Sequence, residues 1–324
     1  MRKRTVVVLG ALALTGAVLA MPAAPARSQV ARTIRVVISV PPGGSIDLLV
    51  RILADHISTA KGQSIIVESR PGAGGIIAAE AVARAAPDGN TLLINNNGMI
   101  ISSILRKVNY DPRTSFEPIC YLVTTPQIIV VNSASPYRTL AELVDAARAK
   151  PAELSIASVG PNTTQHIGIE RFKRLAQANL TYVPYPGGAP TVNALLGAHV
   201  TSAVLNWSEI GEQLTAGKVR ALATMALQRI GPLPDLPTVA ESGYRDFETD
   251  VWFGLVAPAH TPKQTIAQLI DWFSTALLAP EVKSKLTAQA LYPNPKCGVD
   301  FEAHIFRQSD LYVRLIRELN IKTE

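Results

Sequence analysis

The feature that most constrains this chain is an alternation. Short runs rich in Val and Ile each end in a glycine- and proline-bearing loop, and a helical pattern follows. Residues 34–40 form the first such run, which ends in Pro41-Pro42-Gly43-Gly44. A helix is predicted from 47 to 57, with Leu48, Leu49, Ile52 and Leu53 on one face. The cycle repeats with a strand at 64–68, the loop Arg70-Pro71-Gly72-Ala73-Gly74-Gly75, a helix to 85 and a third strand at 91–95. Strands alternating with helices of about 10–15 residues predict an α/β architecture, a parallel sheet with helices on both faces.

A second set of the same kind begins at 128–132. Helices are expected at 140–150, 164–176, 208–216 and up to 196, with strands at 154–158, 180–185, 200–206 and 221–225. Residues 252–257 read as a strand, Thr261-Pro262 as a helix start, and two amphipathic helices at 266–278 and 301–319 end the chain. The expected organisation is two lobes. One comprises 33–127 plus 245–324, the C-terminal part returning to the first lobe, and the other comprises 128–244.

The N-terminus carries an export signal. Arg2, Lys3 and Arg4 precede an uncharged apolar stretch from Val6 to Ala20, and Ala24-Pro25-Ala26 offers a small-x-small cleavage pattern. That stretch is short beside the roughly 20 residues of a membrane span, so residues 1–26 are expected to be a cleaved signal peptide and the mature protein periplasmic. Without the three leader cations the formal net charge of +6 falls to +3. No basic stripe with interleaved aromatics remains, which argues against nucleic acid as a partner. Cys120 and Cys297 are the two cysteines. They can pair in an oxidising compartment or be two small buried hydrophobes.

Two loops share one design. Val40-Pro41-Pro42-Gly43-Gly44-Ser45-Ile46-Asp47 and Tyr185-Pro186-Gly187-Gly188-Ala189-Pro190 each put paired glycines between a strand's carboxyl end and a helix. Exposed backbone N–H groups and a helix N-terminus there favour an anion, and this edge of an open α/β sheet is where ligands sit. Neither loop holds Arg or Lys. The expected grip is therefore made by main-chain donors and hydroxyls, with Asp47 orienting a loop donor and Gly188 leaving room for the ligand. A third segment adds Ser158, Gly160, Thr163, Thr164 and His166. Either threonine can instead be a helix cap, and a lone first-turn histidine is more often structural. Asn206 and, within the amide-rich run Asn95-Asn96-Asn97, Asn97 complete the candidate ligand-binding residues.

These segments resemble the tripartite tricarboxylate transporter receptor family, the Bug extracytoplasmic solute receptors. The resemblance rests on VPPGGSID, SRPGAGG with PDGNTLL, YDPRTSFEPI, IASVGPNTTQHIGIERF, VPYPGGAPTVNALLGAHV, AGKVRALA with LPDLPTVAESGY, and WFGLVAPAHTP, in that order over nearly the whole chain. It implies a two-lobed periplasmic binding protein fold, type II-like, with the ligand cleft between the lobes. It also implies a receptor that captures a small carboxylate-containing ligand for uptake or sensing, its carboxylate held by the loops at 40–47 and 185–190 through backbone groups and waters. Membrane permease subunits are the implied partners, and the receptor is expected to be a monomer with no cofactor. Ile46 stands where the family often has Thr, and Asn193 and Asn206 where it often has Asp. Fewer acids near the cleft imply weaker selection for a ligand ammonium group.

The rival is an exported α/β hydrolase or transferase acting on a small carboxylate. The chain contains no G-x-S-x-G elbow, P-loop or H-E-x-x-H. Gly72-Ala73-Gly74 opens like a dinucleotide fingerprint, but Ile77 occupies the third-glycine position. His166 and Glu170, at i and i+4, lack an evident third metal ligand. No enzymatic activity is expected.

Overall fold

The computed structural model describes residues 33–40, 42–43, 45–160, 163–245 and 247–321. The chain runs β1 (Ile34–Ile38), α1 (Ser45–Lys61), β2 (Ile65–Ser69), a 3₁₀ turn (Ala73–Gly75), α2 (Ile76–Ala83), β3 (Thr91–Asn96), α3 (Asn97–Leu105) and β4 (Phe116–Asn132). It continues with α4 (Leu140–Ala149), β5 (Ser155–Val159), α5 (Thr164–Ala176), β6 (Thr181–Tyr185), α6 (Gly188–Leu196), β7 (Ser202–Asn206), α7 (Trp207–Thr215) and β8 (Val219–Thr224). The last elements are β9 (Asp250–Pro258), α8 (Lys263–Leu278), α9 (Pro280–Ala288), β10 (Tyr292–Cys297) and α10 (Val299–Glu318).

The parallel pairs are β1 with β2 and β3, and β5 with β6 and β7. The sheet is not wholly parallel, however. The two parallel sets are joined by the long strands β4 and β9, which run antiparallel to their neighbours in the order β2-β1-β3-β9-β4-β7-β5-β6. β4 pairs with β9 from Phe116 to Pro126, then with β7 and β8 from Gln127 onward. Reading a strand only at 128–132 missed its first part, because Pro118 and Pro126 interrupt the β-branched run there.

Strand alternation sends side chains to both faces, and both are covered. On β1, Val36 and Ile38 pack with Leu49 and Leu53 of α1 and Phe273 of α8, while Val37 packs with Ala78 of α2, Ile100 of α3 and Tyr312 of α10. On β4, Ile129 and Val131 face Leu143 of α4 and Phe172 of α5, while Ile128 and Val130 face Val192 of α6 and Ile210 of α7. Ile167 of α5 joins the layer made by α2, α3 and α10. Cys120 and Cys297 form a disulfide across β4 and β10, their Cα atoms 4.0 Å apart. α3, α9 and β10 were not anticipated. Thr261 does not cap α8; its hydroxyl donates to the Pro258 carbonyl at 2.7 Å. Among the described residues, no helix is long and apolar enough to cross a membrane. Residues 1–26, expected to be a signal peptide, lie outside them.

Candidate ligand-binding site

The carboxyl ends of β1, β3, β5 and β7 meet at a cavity of about 440 Å³. Ser39 and Val40 follow β1, Asn96 ends β3, Val159 ends β5, Asn206 ends β7, and β9 contributes Val251 and Phe253. Three helices of nine residues or more begin at its walls: α3 with Gly98, α5 with Thr164 and Gln165, and α7 with Glu209. A helix's first N–H groups lack intrahelical partners and its N-terminal end is positive, so converging first turns favour negative charge.

On the first side, Asn96 caps α3, its Oδ1 accepting from Met99 N at 3.3 Å. Asn97, unlike its neighbour Asn96, does not line the cavity. It is buried, donating from Nδ2 to Tyr312 Oη at 2.8 Å and accepting Trp252 N at 3.0 Å, so it ties α3 to α10 and β9. Gly75, in the 3₁₀ turn, adopts φ +97°, and a Cβ there would stand 3.3 Å from Ser39 Cβ. Both the angle and the close approach call for glycine. Arg106, at the end of α3, and Ser102 complete this wall.

The first glycine loop adjoins the cavity, and among its described residues Val40 lines it while Pro42, Gly43 and Ser45 do not. Gly44 lies outside the described residues. Asp47 is 5% exposed, and its Oδ2 accepts Arg51 Nε at 2.9 Å and Gly43 N at 3.0 Å. The Arg51 hydrogen bond holds its carboxyl below the usual range, against the opposing effect of burial. Asp47 therefore shapes the loop from behind.

On the second side, Thr163 caps α5, accepting His166 N at 3.3 Å while donating to the Val159 carbonyl at 2.8 Å. Thr164 is buried at the cavity wall. Ser158 is turned inward instead: it is fully buried, with its hydroxyl 3.2 Å from Tyr182 Oη. The Tyr182 hydroxyl donates to the Gly160 carbonyl at 2.6 Å, and Gly160 N donates to the Tyr185 carbonyl at 2.7 Å. The His166 ring stacks on Tyr182 at 4.4 Å, and burial lowers its proton affinity. Glu170 pairs with Lys173 at 2.8 Å. Ser158, Gly160, His166 and Tyr185 are not among the described lining residues, and their contacts brace this wall.

The second glycine loop does not line this cavity. Gly187, Gly188, Ala189 and Pro190 are not among the described walls. Gly187 accepts the Thr191 hydroxyl at 2.8 Å, and Gly188 leaves room for protein, not ligand: a Cβ there would lie 2.5 Å from Glu209 Oε1. Glu209 does line the cavity. Its Oε2 accepts Asn206 N at 2.7 Å, and burial pushes its carboxyl up, partly offset by that bond. Arg106 and Glu209 are the cation and the acid of the described walls, and the sequence reading missed both. For Glu209 a signal existed, the Asn206-x-x-Glu209 spacing of a helix start. Arg106 had none, because α3 itself was not recognised. Among the described residues no group of three His, Cys, Asp or Glu could hold a metal.

The fold is the two-lobed α/β fold of periplasmic solute-binding proteins, as in the structure of periplasmic binding protein BugD, with TM-score 0.79 at 31% identity over 90% of this chain and 99% of that one. The chain belongs to the tripartite tricarboxylate transporter family receptors, whose family model matches residues 49–321. Protein BugT of Bordetella pertussis is 31% identical over 266 residues, covering 81% of this chain and 82% of BugT. The structure of R. palustris Rpa4515 with adipate superposes with TM-score 0.82 at 30% identity, covering 91% of this chain and 99% of that one. MatC from Rhodopseudomonas palustris with bound malate gives TM-score 0.76 at 29% identity, over 88% and 99%.

Proposed function

We propose that this receptor captures a small carboxylate-bearing solute in the cavity and releases it chemically unchanged. The observation that carries the reading is the convergence of three helix N-termini on a cavity that also holds Arg106. The positive helix ends and a guanidinium both favour a carboxylate. A volume of about 440 Å³ suits a small molecule. The adipate and malate complexes of similar proteins support the ligand class.

In this reading residues 33–127 with 245–324 move as one lobe and 128–244 as the other, closing over the solute. Four apolar layers support the division. Two draw mainly on the first and last parts of the chain and two on the middle. Export with removal of residues 1–26, action as a monomer and delivery to membrane permease subunits complete the proposal.

The test is a thermal-shift screen of mono-, di- and tricarboxylates, with mass spectrometry of whatever the purified protein retains. A ligand at 100 times its Kd stabilises by about 2.7 kcal/mol, so binders stand out. The retained molecule should leave unaltered after incubation. A screen with no carboxylate shift, or a carboxylate converted to product, would overturn the reading.

A further inference from the structure

We propose that Gln127 is a positioning residue at the crossing between the lobes: its buried carboxamide, unpaired in the conformation described, takes up hydrogen bonds when the lobes close over a ligand. This rests on the two-lobed carboxylate reading above and adds how closure is biased. β4 pairs with β9 as far as Pro126 and with β7 from Gln127 onward, so Gln127 stands where the strand passes from one parallel set to the other. Its main chain is firmly held, the carbonyl accepting Met225 N at 2.8 Å and Thr224 Oγ1 at 3.2 Å. Its side chain is fully buried, yet neither Oε1 nor Nε2 has a hydrogen-bond partner among the described residues. The hydroxyls of Thr125, two residues earlier, and of Thr249, directly before β9, are buried and unpaired as well. Away from the crossings comparable buried hydroxyls are paired. Thr191, Ser202 and Ser309 each donate to a main-chain carbonyl at 2.8–2.9 Å. A buried polar group without a partner carries its desolvation cost uncompensated, and here three such side chains gather where the chain must turn for the lobes to move.

The same groups adjoin the cavity walls. Directly opposed residues of an antiparallel pair share a face. Gln127 is opposite Asn206 and Thr125 is opposite Val251, and both of those partners line the cavity. α5, whose Thr164 and Gln165 line it too, packs on Thr249, since a Cβ on Gly168 would lie 3.0 Å from Thr249 Oγ1. A ligand that engages these walls therefore moves the immediate neighbours of the unpaired groups, and rotation at the crossing changes what they can reach.

Melting curves of the ligand-free protein and calorimetry with adipate, malate and any tighter carboxylate from the screen test this on Gln127→Met and Thr125→Val. Each variant removes the polar atoms and keeps the shape. Gln127→Met is expected to melt about 2 °C or more above wild type, because an unpaired buried group is gone. It should nevertheless bind at least tenfold more weakly, about 1.4 kcal/mol, because closure no longer gains the bonds. Thr125→Val should move both readings in the same directions by less. A structural role would lower both together, so a Gln127→Met protein that melts lower shows the carboxamide to be paired already and overturns the proposal. Higher melting with affinity unchanged or tighter overturns it as well, and in both cases the carboxylate reading stands. If wild type binds no carboxylate of the screen, both fall.

Discussion

In the loop before α1, the conformation is held from within. Asp47 reaches back from the helix to Gly43 N at 3.0 Å, and a Cβ on Gly43 would meet nothing within 4 Å. In the loop before α6, the constraint comes from elsewhere in the chain, since the side of Gly188 is filled by Glu209 of α7. The two loops spell nearly the same motif, yet one glycine serves its backbone angle, φ +93°, and the other serves room for a carboxylate. A Gly-Gly pair at a strand's end therefore does not by itself identify a ligand cradle.

The sharpest break of this comparison is Gly188→Val. The added side chain collides with a carboxylate pinned by Asn206, so Glu209 or α6 must shift. Overpacking of this kind costs up to about 3 kcal/mol. Ligand affinity should fall at least tenfold, about 1.4 kcal/mol, because the first turn of α7, which lines the cavity, is displaced together with Glu209. Adding Glu209→Ala should recover much of the lost stability, which a double-mutant cycle by denaturant unfolding would measure. Strictly additive losses would mean that residue 188 abuts something other than Glu209.

Asp47→Ala should act more mildly and only on the first loop. It removes a helix-start carboxylate and its bond to Gly43 N, worth about 1–2 kcal/mol in comparable capping positions. The effect carries a pH signature. The Asp47 carboxyl is depressed below 3.8 by its Arg51 and Gly43 bonds. Its contribution is therefore present above that value and lost as pH falls through the lower folded-state value. Wild type and variant should differ fully at pH 6 and converge in acid below pH 3.8. A gap that stays constant down to strong acid would show that the charge is not what holds the loop.

Much of the fold was legible because β1, β3, β5 and β7 are buried on both faces and read as short apolar runs closed by glycine or proline. The strand order was less so. β4 and β9 cross between the two parallel sets, and nothing in the local pattern of residues 116–132 states what a strand pairs with. At the cavity, Val40, Thr163, Thr164 and Asn206 were found because they follow strand ends. Arg106 escaped because it follows α3, a helix the local pattern does not announce, and Glu209 because a charge in a helix's first turn looks like a solvated surface residue. Asn96 and Asn97 differ by one step of backbone, which sends one side chain to the cavity wall and the other to Tyr312. Sequence adjacency cannot decide that step.

The smallest effect tests the conformational half of the comparison. Gly43 has a left-handed φ and is exposed, so Gly43→Ala meets no obstacle but must adopt an angle L-residues disfavour. That costs about 1–2 kcal/mol, of which about 0.4–1 is returned by the lower entropy of the unfolded chain. A net loss of roughly 0.5–1 kcal/mol is expected by denaturant unfolding. Affinity should change less than in Gly188→Val, because the Asp47 bond still aligns Gly43 N. Gly43→Asn separates angle from bulk, since asparagine tolerates left-handed backbone better while being larger. If the angle is what matters, Asn at 43 should be less destabilising than Ala. If Asn proves worse, the space beside Gly43 is occupied when the protein works, and the two loops are more alike than their packing suggests.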